Sequence, residues 1–315
     1  MPCKTNKGIN TLLLIVSNKA GVTERPCGGL QSQPDWPKSA YRGSNPLPGS
    51  ISMTGDETLA LLSKPQLERY SRNLKLKDFT SGDQERLLRS KVLIVGAGGL
   101  GSPISLYLAA NGVGNITIVE SDKVELSNLQ RQIVLDSESI GKPKGDVAKR
   151  RLEKLNPDVK VEVIAGRFER GNARRIVARH DMVVDASDNF ATKFLVNDAC
   201  VLEGKPFSIG SCLSYHGQVS TYIPGKGPCY RCLFKDVQDG AVPTTAEAGV
   251  LGSVPGIVGT IQATEAIKVI LKKGTTLSGR LLLIDSLDMD IQTICFSRSE
   301  SCPACGKQPT IKLRK

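Results

Sequence analysis

Apolar and polar positions alternate in blocks along the chain from residue 91 onward. Short runs rich in Val, Ile and Leu predict buried strands, at 91–95, 115–120, 160–164, 182–186 and 206–210. Helical patterns lie between them, in a segment that opens at Ser102 and in segments 143–155, 172–179 and 190–202. Strands that alternate with helices predict an α/β fold with a mostly parallel sheet.

The second half of the chain follows a different pattern. Further strands are predicted at 218–223, 280–285 and 292–296, and the long helical pattern among them, at 256–272, is apolar. Strands that follow one another without a crossover helix pair antiparallel. We therefore expect these strands to extend the parallel sheet.

A glycine-rich turn joins the first predicted strand to the helix after it. Gly96, Gly98, Gly99 and Gly101 stand in the sequence GAGGLG, directly after that strand. Glycines let the backbone approach a phosphate closely, and a helix N-terminus offers unpaired N–H groups to an anion. The second strand ends at Glu120, where a Rossmann unit keeps a carboxylate for a ribose hydroxyl. The context predicts a Rossmann-like nucleotide-binding unit, and a purely structural turn is the alternative.

Two basic residues near this turn bear on the kind of nucleotide. Arg131 lies in the sequence SNLQRQ, after the second strand, and Lys144 begins the next helical segment. Both are expected in the crevice at the carboxyl ends of the strands. A dinucleotide needs less positive charge, whereas two long cations and the polar Asn128 suit a triphosphate with Mg²⁺. Taken singly, Arg131 also fits a surface ion pair and Lys144 a solvated lysine.

Asp188 and Asn189 follow the fourth predicted strand. At the carboxyl edge of the sheet, the Asp188 carboxylate can bind the Mg²⁺ of the same triphosphate. The alternative is that Asp188 caps the helix that starts at residue 190. The spacing by itself favours the cap.

Four of the nine cysteines form two Cys-x-x-Cys pairs. They are Cys229, Cys232, Cys302 and Cys305. Four thiolates presented in this way fit a tetrahedral Zn²⁺ site without an open position. Redox pairs or free thiols would leave the coincidence of two pairs unexplained, and a zinc site explains both pairs at once.

The N-terminal segment has another composition. Residues 23–52 are dense in Gly, Pro, Ser, Asn and Gln, which predicts that residues 1–52 are disordered or a non-native extension. Met53 is then a candidate translation start. The apolar stretch Leu12 to Val16 is too short for a secretory signal and is followed by Lys19, so export is not favoured.

Composition and charge restrict the partners. Lys and Arg number 42 against 31 Asp and Glu, but aromatic residues are only 4% of the chain, which argues against a nucleic-acid surface built on base stacking. The apolar runs are far shorter than the roughly 20 residues of a membrane-spanning helix. We expect an acidic ligand or protein partner, no nucleic acid, no membrane, and a cytoplasmic location, where thiols stay reduced.

These motifs together resemble one enzyme family. The sequences GAGGLG, SNLQRQ, GKPK and DASDN, with the two cysteine pairs, are similar to the MoeB/ThiF/HesA family, prokaryotic relatives of ubiquitin-activating enzymes. The resemblance runs from about residue 67 to 307. It implies ATP-dependent adenylylation of the C-terminal glycine of a ubiquitin-like sulfur carrier, in a molybdopterin, thiamine or tRNA-thiolation pathway, with release of pyrophosphate.

The resemblance also implies roles for individual residues. Glu120, where the family usually has Asp, would bind the ribose. Asn128, Arg131 and Lys144 would hold the triphosphate. Asp188 would organise Mg²⁺. Arg72 matches the arginine that family dimers insert into the neighbouring active site, which implies a homodimer. The full set implied to bind nucleotide is Gly96, Gly98, Gly99, Gly101, Glu120, Ser127, Asn128, Leu129, Gln130, Arg131, Lys144, Asp188 and Asn189. In the family the zinc is structural.

One position departs from the family's pattern. Thr245 stands where many relatives carry a cysteine for thioester or acyl-disulfide chemistry. A hydroxyl forms no persulfide and is a weaker nucleophile than a thiolate. We therefore predict adenylylation without a covalent carrier intermediate at this loop. Cys200, Cys212 and Cys295 are expected to be buried small residues. The family's rhodanese domain is absent from this chain, so a separate protein is expected to donate the sulfur.

The preferred hypothesis is a nucleotidyltransferase with ATP, Mg²⁺ and Zn²⁺ as cofactors. Residues 53–225 form its nucleotide-binding part, and residues 226–315 a zinc-clamped, carrier-binding part of the same domain. The alternatives are an NAD(P)-dependent oxidoreductase and a non-catalytic carrier-binding scaffold. His180 and His216 are expected to be structural or surface histidines, because an ionised C-terminal carboxylate with a pKa of about 3.5 needs no general base.

Overall fold

The computed structural model describes residues 62–235, 237 and 239–313. The predictions for residues 1–52 and Met53 lie outside these residues. The described chain folds around one eight-stranded sheet, in the order β3-β2-β1-β4-β5-β6-β7-β8. Its strands are β1 (Lys91–Val95), β2 (Asn115–Glu120), β3 (Lys160–Ala165), β4 (Met182–Asp185), β5 (Phe207–Leu213), β6 (His216–Tyr222), β7 (Arg280–Asp285) and β8 (Asp290–Cys295).

Helices connect and cover the strands. They are α1 (Lys64–Arg69), α2 (Ser71–Leu74), α3 (Ser81–Arg89), α4 (Gly101–Ala110), α5 (Lys144–Leu155), α6 (Ala173–Ala178), α7 (Phe190–Leu202), α8 (Tyr230–Leu233), α9 (Thr245–Ala248) and α10 (Ser253–Leu271). Short 3₁₀ turns lie at Leu126–Asn128 and Ser137–Ser139. The predicted helices are all present, with ends that differ by a few residues.

The pairing confirms the predicted mixed sheet. β1 to β5 pair in parallel, and β5–β6, β6–β7 and β7–β8 pair antiparallel. β5 is longer than its prediction because its end forms a hairpin with β6, in which Leu213 pairs with His216. Ser214 in the turn has a left-handed φ of 52°. Strands from both predicted parts of the chain therefore share one sheet.

The central parallel strands β1, β2 and β4 are buried on both faces, and consecutive side chains point to opposite sides. In β1, Val92 and Ile94 pack in one apolar core with Ile104 of α4 and Val258 of α10. Leu93 of the same strand packs in the other core, with residues of α7. A strand covered on both sides reads as a continuous apolar run, which is why the parallel strands are visible in the sequence.

Helix α10 is long and apolar enough to cross a membrane by length and composition, and half of it is buried in the fold. It carries two buried polar residues. Gln262 Nε2 donates to the Asp185 carbonyl at 2.8 Å, and the Glu265 carboxylate accepts from Thr221 Oγ1 at 2.7 Å. These bonds fix α10 to the sheet, so it is the central core helix of this fold.

Candidate active site

The strand order reverses between β1 and β4. The chain adds β2 and β3 on one side of β1 and then crosses over to add β4 and β5 on the other side. Ligands of open α/β sheets bind at such a point, outside the carboxyl ends of the strands. A cavity of about 820 Å³ lies there, lined by the loops after β1, β2, β4 and β5. Of the predicted site residues it is lined by Gly96, Gly98, Gly99, Glu120, Arg131, Lys144, Asp188 and Asn189.

The glycine turn needs its glycines for two separate reasons. Gly96 has a φ of 99°, a conformation that L side chains rarely adopt, and a Cβ there would lie 3.0 Å from the Ala186 carbonyl oxygen. A Cβ on Gly101 would collide with the Gly96 carbonyl. Gly101 thus keeps α4 close to β1 and does not line the cavity in the described chain. Gly98 and Gly99 form part of the cavity wall.

The Glu120 carboxylate at the end of β2 holds three backbone N–H groups. It accepts from Ala97 at 2.8 Å, from Ser121 at 2.7 Å and from Asp122 at 2.8 Å. The bond to Ala97 links the second strand to the glycine turn. These bonds fix the direction in which the carboxylate oxygens face the cavity.

The two predicted cations occupy different surroundings. Arg131 is half-buried and donates to the Ser127 carbonyl at 3.0 Å. Lys144 is buried, and its Nζ lies 3.3 Å from the Asp122 carboxylate, which is itself largely exposed. The simple interpretation of Lys144 as a solvated lysine is therefore wrong. An amine held at the cavity wall beside one exposed carboxylate keeps donors for an anionic ligand.

The loop after β4 presents Asp188 and Asn189. Asn189, not Asp188, caps helix α7, because its Oδ1 accepts from the Thr192 N–H at 2.8 Å. Asp188 is exposed, lines the cavity and accepts from the Asn189 side chain at 3.3 Å. The alternative in which Asp188 serves as the cap is therefore wrong.

The remaining predicted nucleotide residues lie elsewhere in the described structure. Asn128 is buried, and its Oδ1 accepts from the Glu125 N–H at 3.1 Å, which closes the 3₁₀ turn. Gln130 donates to the Val250 carbonyl at 3.3 Å. Along with Ser127 and Leu129, these residues shape the segment that carries Arg131 and do not line the cavity of the described chain. Arg72, exposed on α2, does not line it either.

A buried ion pair borders the cavity, and its lysine belongs to none of the sequence motifs. Lys193 of α7 donates to the Asp185 carboxylate at 2.7 Å, to the Ser187 carbonyl at 2.8 Å and to the Gly210 carbonyl at 2.7 Å. Asp185 also accepts from Ser187 Oγ at 2.6 Å. With three oxygens around it, the ammonium fastens β4, β5 and the loop that carries Asp188 to one another.

The β5–β6 end of the cavity has a different character. It is lined by Ser211, Cys212, Leu213, His216 and Gln218, with Thr244 and Thr245 from the neighbouring loop. Burial raises the pKa of the Cys212 thiol to about 12, so it is protonated at neutral pH. Thr245, at the start of α9, is half-buried.

The histidines and the other predicted buried cysteines differ in their surroundings. His180 is buried between the Ile176 carbonyl and Thr117 Oγ1, both at 2.8 Å, as a structural histidine. His216 instead lines the cavity, with its Nδ1 3.7 Å from Asp285. Cys200 is buried as predicted, whereas Cys212 and Cys295 are half-buried. No local pattern in the sequence marks Lys193, His216 or Gln218 as cavity residues.

The two Cys-x-x-Cys pairs meet in one buried cluster. The Sγ atoms of Cys229, Cys232, Cys302 and Cys305 all lie within 4.8 Å of one another. Neighbouring sulfurs are 3.4 to 4.0 Å apart, and a tetrahedral site with Zn–S bonds of about 2.3 Å requires about 3.8 Å. The Ser299 N–H donates to Cys232 at 3.4 Å. Both the donor set and its size fit Zn²⁺.

Comparisons with known proteins agree with this geometry. The chain is 48% identical over 247 residues to the SAMP-activating enzyme E1 of Haloferax volcanii, covering 78% of this chain and 91% of that protein. It is 48% identical over 254 residues to the sulfur carrier protein adenylyltransferase of Thermus thermophilus, covering 79% and 94%. A crystal structure of E. coli MccB with ATP matches with a TM-score of 0.63 and 28% identity, covering 71% of this chain and 68% of that one.

The family assignment rests on a match to a family model. The model of the ThiF family matches residues 70–304, more than half of the chain, and this range includes the cavity loops and three of the four clustered cysteines. Together with relatives that are 48% identical over nearly their whole length, this match shows that the chain belongs to the ThiF family.

Proposed function

We propose that this protein adenylylates the C-terminal glycine of a ubiquitin-like sulfur carrier with ATP. It is a nucleotidyltransferase, as are the adenylyltransferases it resembles. The observation that carries the proposal is the cavity at the β1–β4 crossover, where a glycine turn, a carboxylate, two cations and Asp188 meet. The relatives named as a sulfur carrier protein adenylyltransferase and a SAMP-activating enzyme support the choice of substrate.

The nucleotide lies across the carboxyl ends of the parallel strands. A ribose hydroxyl binds the Glu120 carboxylate, which has about four lone-pair sites and uses three of them for backbone bonds. The phosphates lie against the glycine turn and the start of α4, whose N–H groups face an anion. Arg131 and Lys144 neutralise the triphosphate.

Mg²⁺ is expected beside the phosphates. Its preferred protein ligands are carboxylate oxygens, usually one or two, combined with phosphate oxygens. Asp188 is exposed at the cavity, and its carboxylate accepts a hydrogen bond from the Asn189 side chain, which leaves oxygen lone pairs for the ion. We propose that Asp188 holds the ion, which supplies positive charge to the phosphates.

The reaction joins two anions, so charge is its main obstacle. A carboxylate oxygen of the carrier's last glycine attacks the α-phosphorus, the bond to the bridging oxygen breaks, and pyrophosphate leaves with the electron pair. The carboxylate is already ionised at neutral pH, and a general base is not needed. Arg131 and Lys144 align the triphosphate and stabilise the charge that develops on pyrophosphate.

The four clustered cysteines hold a structural Zn²⁺ in this proposal. Their closed set of four sulfurs leaves no position for a substrate. All four are buried in the core that also contains Phe194 and Tyr230. The metal therefore links the segment after β8 to the helix that carries Cys232.

A homodimer would complete the active site. Arg72 lies on an exposed helix outside the cavity of its own chain, near the exposed apolar side chains of Leu67 and Leu76. We propose that this apolar region pairs with a second copy, so that Arg72 enters the neighbouring cavity. In this proposal the carrier is the macromolecular substrate, and the protein binds neither nucleic acid nor a membrane. The reaction takes place in the cytoplasm.

The sulfur comes from a separate donor protein in this proposal. The acyl-adenylate is the product of this chain, because Thr245 provides no thiol and the Cys212 thiol, with its pKa raised to about 12, has almost no thiolate at neutral pH. The outer sulfur of the donor's persulfide then attacks the carbonyl carbon of the adenylate, the acyl–phosphate bond breaks, and AMP leaves with the electron pair.

Pyrophosphate–ATP exchange tests the function. Purified protein is assayed without carrier, with small ubiquitin-like carriers that end in Gly-Gly, and with the same carriers lacking both glycines. We expect exchange only with an intact carrier. Absence of exchange with every carrier, from folded protein, would reject the function, and NADH binding would then favour the oxidoreductase over the non-catalytic scaffold.

A further inference from the structure

The Gln218 side chain is buried in β6 and lines the cavity. It is only 6% exposed, and its Oε1 has no hydrogen-bond partner among the residues that the structure describes. Leaving a buried carbonyl oxygen without a donor costs about 1–3 kcal/mol. A polar group that is retained at such a cost points to a ligand that provides the missing donor.

The position of Gln218 limits which part of the substrates it can reach. Gln218 pairs with Ser211 of β5, and between β6 and β2 the sheet contains β5, β4 and β1. With neighbouring strands about 4.8 Å apart, Gln218 lies roughly 19 Å across the sheet from Glu120. A ribose at Glu120, and the adenine attached to it, therefore lie at the other end of the cavity.

The chemistry of the acceptor oxygen narrows the choice further. Phosphate and carboxylate oxygens only accept hydrogen bonds at neutral pH, so they cannot pair with the Gln218 Oε1. Lys193, a cation that lines the same cavity, already donates to three oxygens. Peptide N–H groups of the carrier tail are the substrate donors that remain for this end of the cavity.

We infer that Gln218 accepts a hydrogen bond from a main-chain N–H of the last two glycines of the carrier. This inference rests on the proposed function. Gln218 then holds the tail so that its terminal carboxylate points toward the α-phosphate, and it acts on recognition of the acceptor, not on the nucleotide. A tail without side chains can lie close to β5 and β6, where only main-chain groups are available to be recognised.

Gln218→Met tests the inference, because methionine has a similar length and no acceptor of comparable strength. The Michaelis constant for the carrier is expected to rise roughly three- to tenfold, with that for ATP unchanged. Since the change removes an unpaired buried oxygen, the unfolding temperature should stay equal or increase. Gln292→Met, an exposed glutamine on β8, is the matched control and should change neither constant.

The carrier provides the second arm of the test. Semisynthetic carriers with an N-methyl group on the last or the penultimate glycine lack one N–H each. One of the two methylated carriers should bind the wild-type enzyme less tightly than the unmodified carrier, by a similar factor. The Gln218→Met enzyme should bind this methylated carrier as well as it binds the unmodified one, because the two changes remove the same bond. Equal effects of methylation on both enzymes, an unchanged carrier constant, or a clear loss of stability in Gln218→Met would each overturn the inference.

The proposed function and the inference fail in different ways. If wild-type protein catalyses no exchange with any intact carrier, the proposed function is wrong and the inference is rejected with it. If exchange depends on the carrier but Gln218→Met leaves its Michaelis constant unchanged, only the inference is wrong.

Discussion

The cysteine cluster and the cavity differ in how completely their polar groups are satisfied. In the cluster, four buried sulfurs face one another within 4.8 Å. In the cavity, Lys144 faces one exposed carboxylate, and the oxygens of Gln132 and Gln218 have no partner in the described part of the chain. A satisfied cluster contributes to stability, and unsatisfied groups keep their capacity for a ligand. Substitutions in the cysteine cluster should therefore change the free energy of unfolding, and substitutions in the cavity should change turnover.

The largest effect is expected from Cys302→Ser. Removing one of four sulfur ligands should release the metal and the folding free energy that depends on it, several kcal/mol or more, because structural zinc binds the folded state. Metal content and urea-induced unfolding measure the result. A chelator should destabilise the wild type in the same direction.

Cys212→Ser is the matched control for the metal cluster. Cys212 lines the cavity outside the cluster, so this variant should keep its metal and unfold close to the wild type. A Cys302→Ser protein with full metal content and unchanged unfolding would show that the cluster is not a zinc site.

An intermediate effect is expected from two lysines of the same cavity. Lys193→Met leaves the Asp185 carboxylate buried without its cation, which should cost about 3–5 kcal/mol of stability. Lys144→Met leaves Asp122 in solvent, so stability should change by less than about 1 kcal/mol. Carrier-dependent exchange by Lys144→Met should fall about 10²-fold or more, as for the loss of other groups that stabilise transition-state charge.

Unfolding in urea and exchange kinetics on the same preparations separate these outcomes. Lys193→Arg is the conservative control and should recover part of the lost stability. If Lys144→Met proved as unstable as Lys193→Met and its turnover normal, the division between a structural and a catalytic lysine would be wrong.

This pair also shows how far the sequence predicts the site. Glu120, Arg131, Lys144 and Asp188 were predicted from motifs beside strand ends, and all four line one cavity, since parallel strands bring their carboxyl ends together. Lys193 was missed because a lysine inside a helix usually lies in solvent. Its only local signal is its position between apolar residues of α7, which is weak without knowledge of the fold.

The strands were predicted more accurately than their ends. Parallel strands buried on both sides give continuous apolar runs, so β1 and β2 were predicted with their observed bounds. β5 extends beyond its prediction because pairing with β6 stabilises Ser211 and Cys212 as strand residues. Gln218 belongs to the same hairpin, and its burial follows from a tertiary arrangement that no spacing in the sequence reveals.

The smallest effect is expected from His180, a group that belongs to neither site. Burial lowers its pKa below the usual value of about 6.5, and Arg179 lowers it further. As the pH falls below about 6.5, this histidine binds a proton in the unfolded chain and stays neutral in the folded protein. The free energy of unfolding therefore decreases as the pH falls. The slope contributed by one proton is at most about 1.4 kcal/mol per pH unit.

Unfolding free energies between pH 7.5 and 5.5 measure this slope. His180→Phe should have a flatter pH dependence than the wild type, although its absolute stability falls because the bonds to Ile176 and Thr117 are lost. Carboxylates whose unfolded pKa is near 4 contribute little above pH 5.5, so the difference between the two slopes reports mainly on this histidine. Equal slopes would mean that His180 keeps an ordinary pKa in the folded protein, so that burial does not lower it. The conclusions on the cavity and the cysteine cluster do not depend on this result.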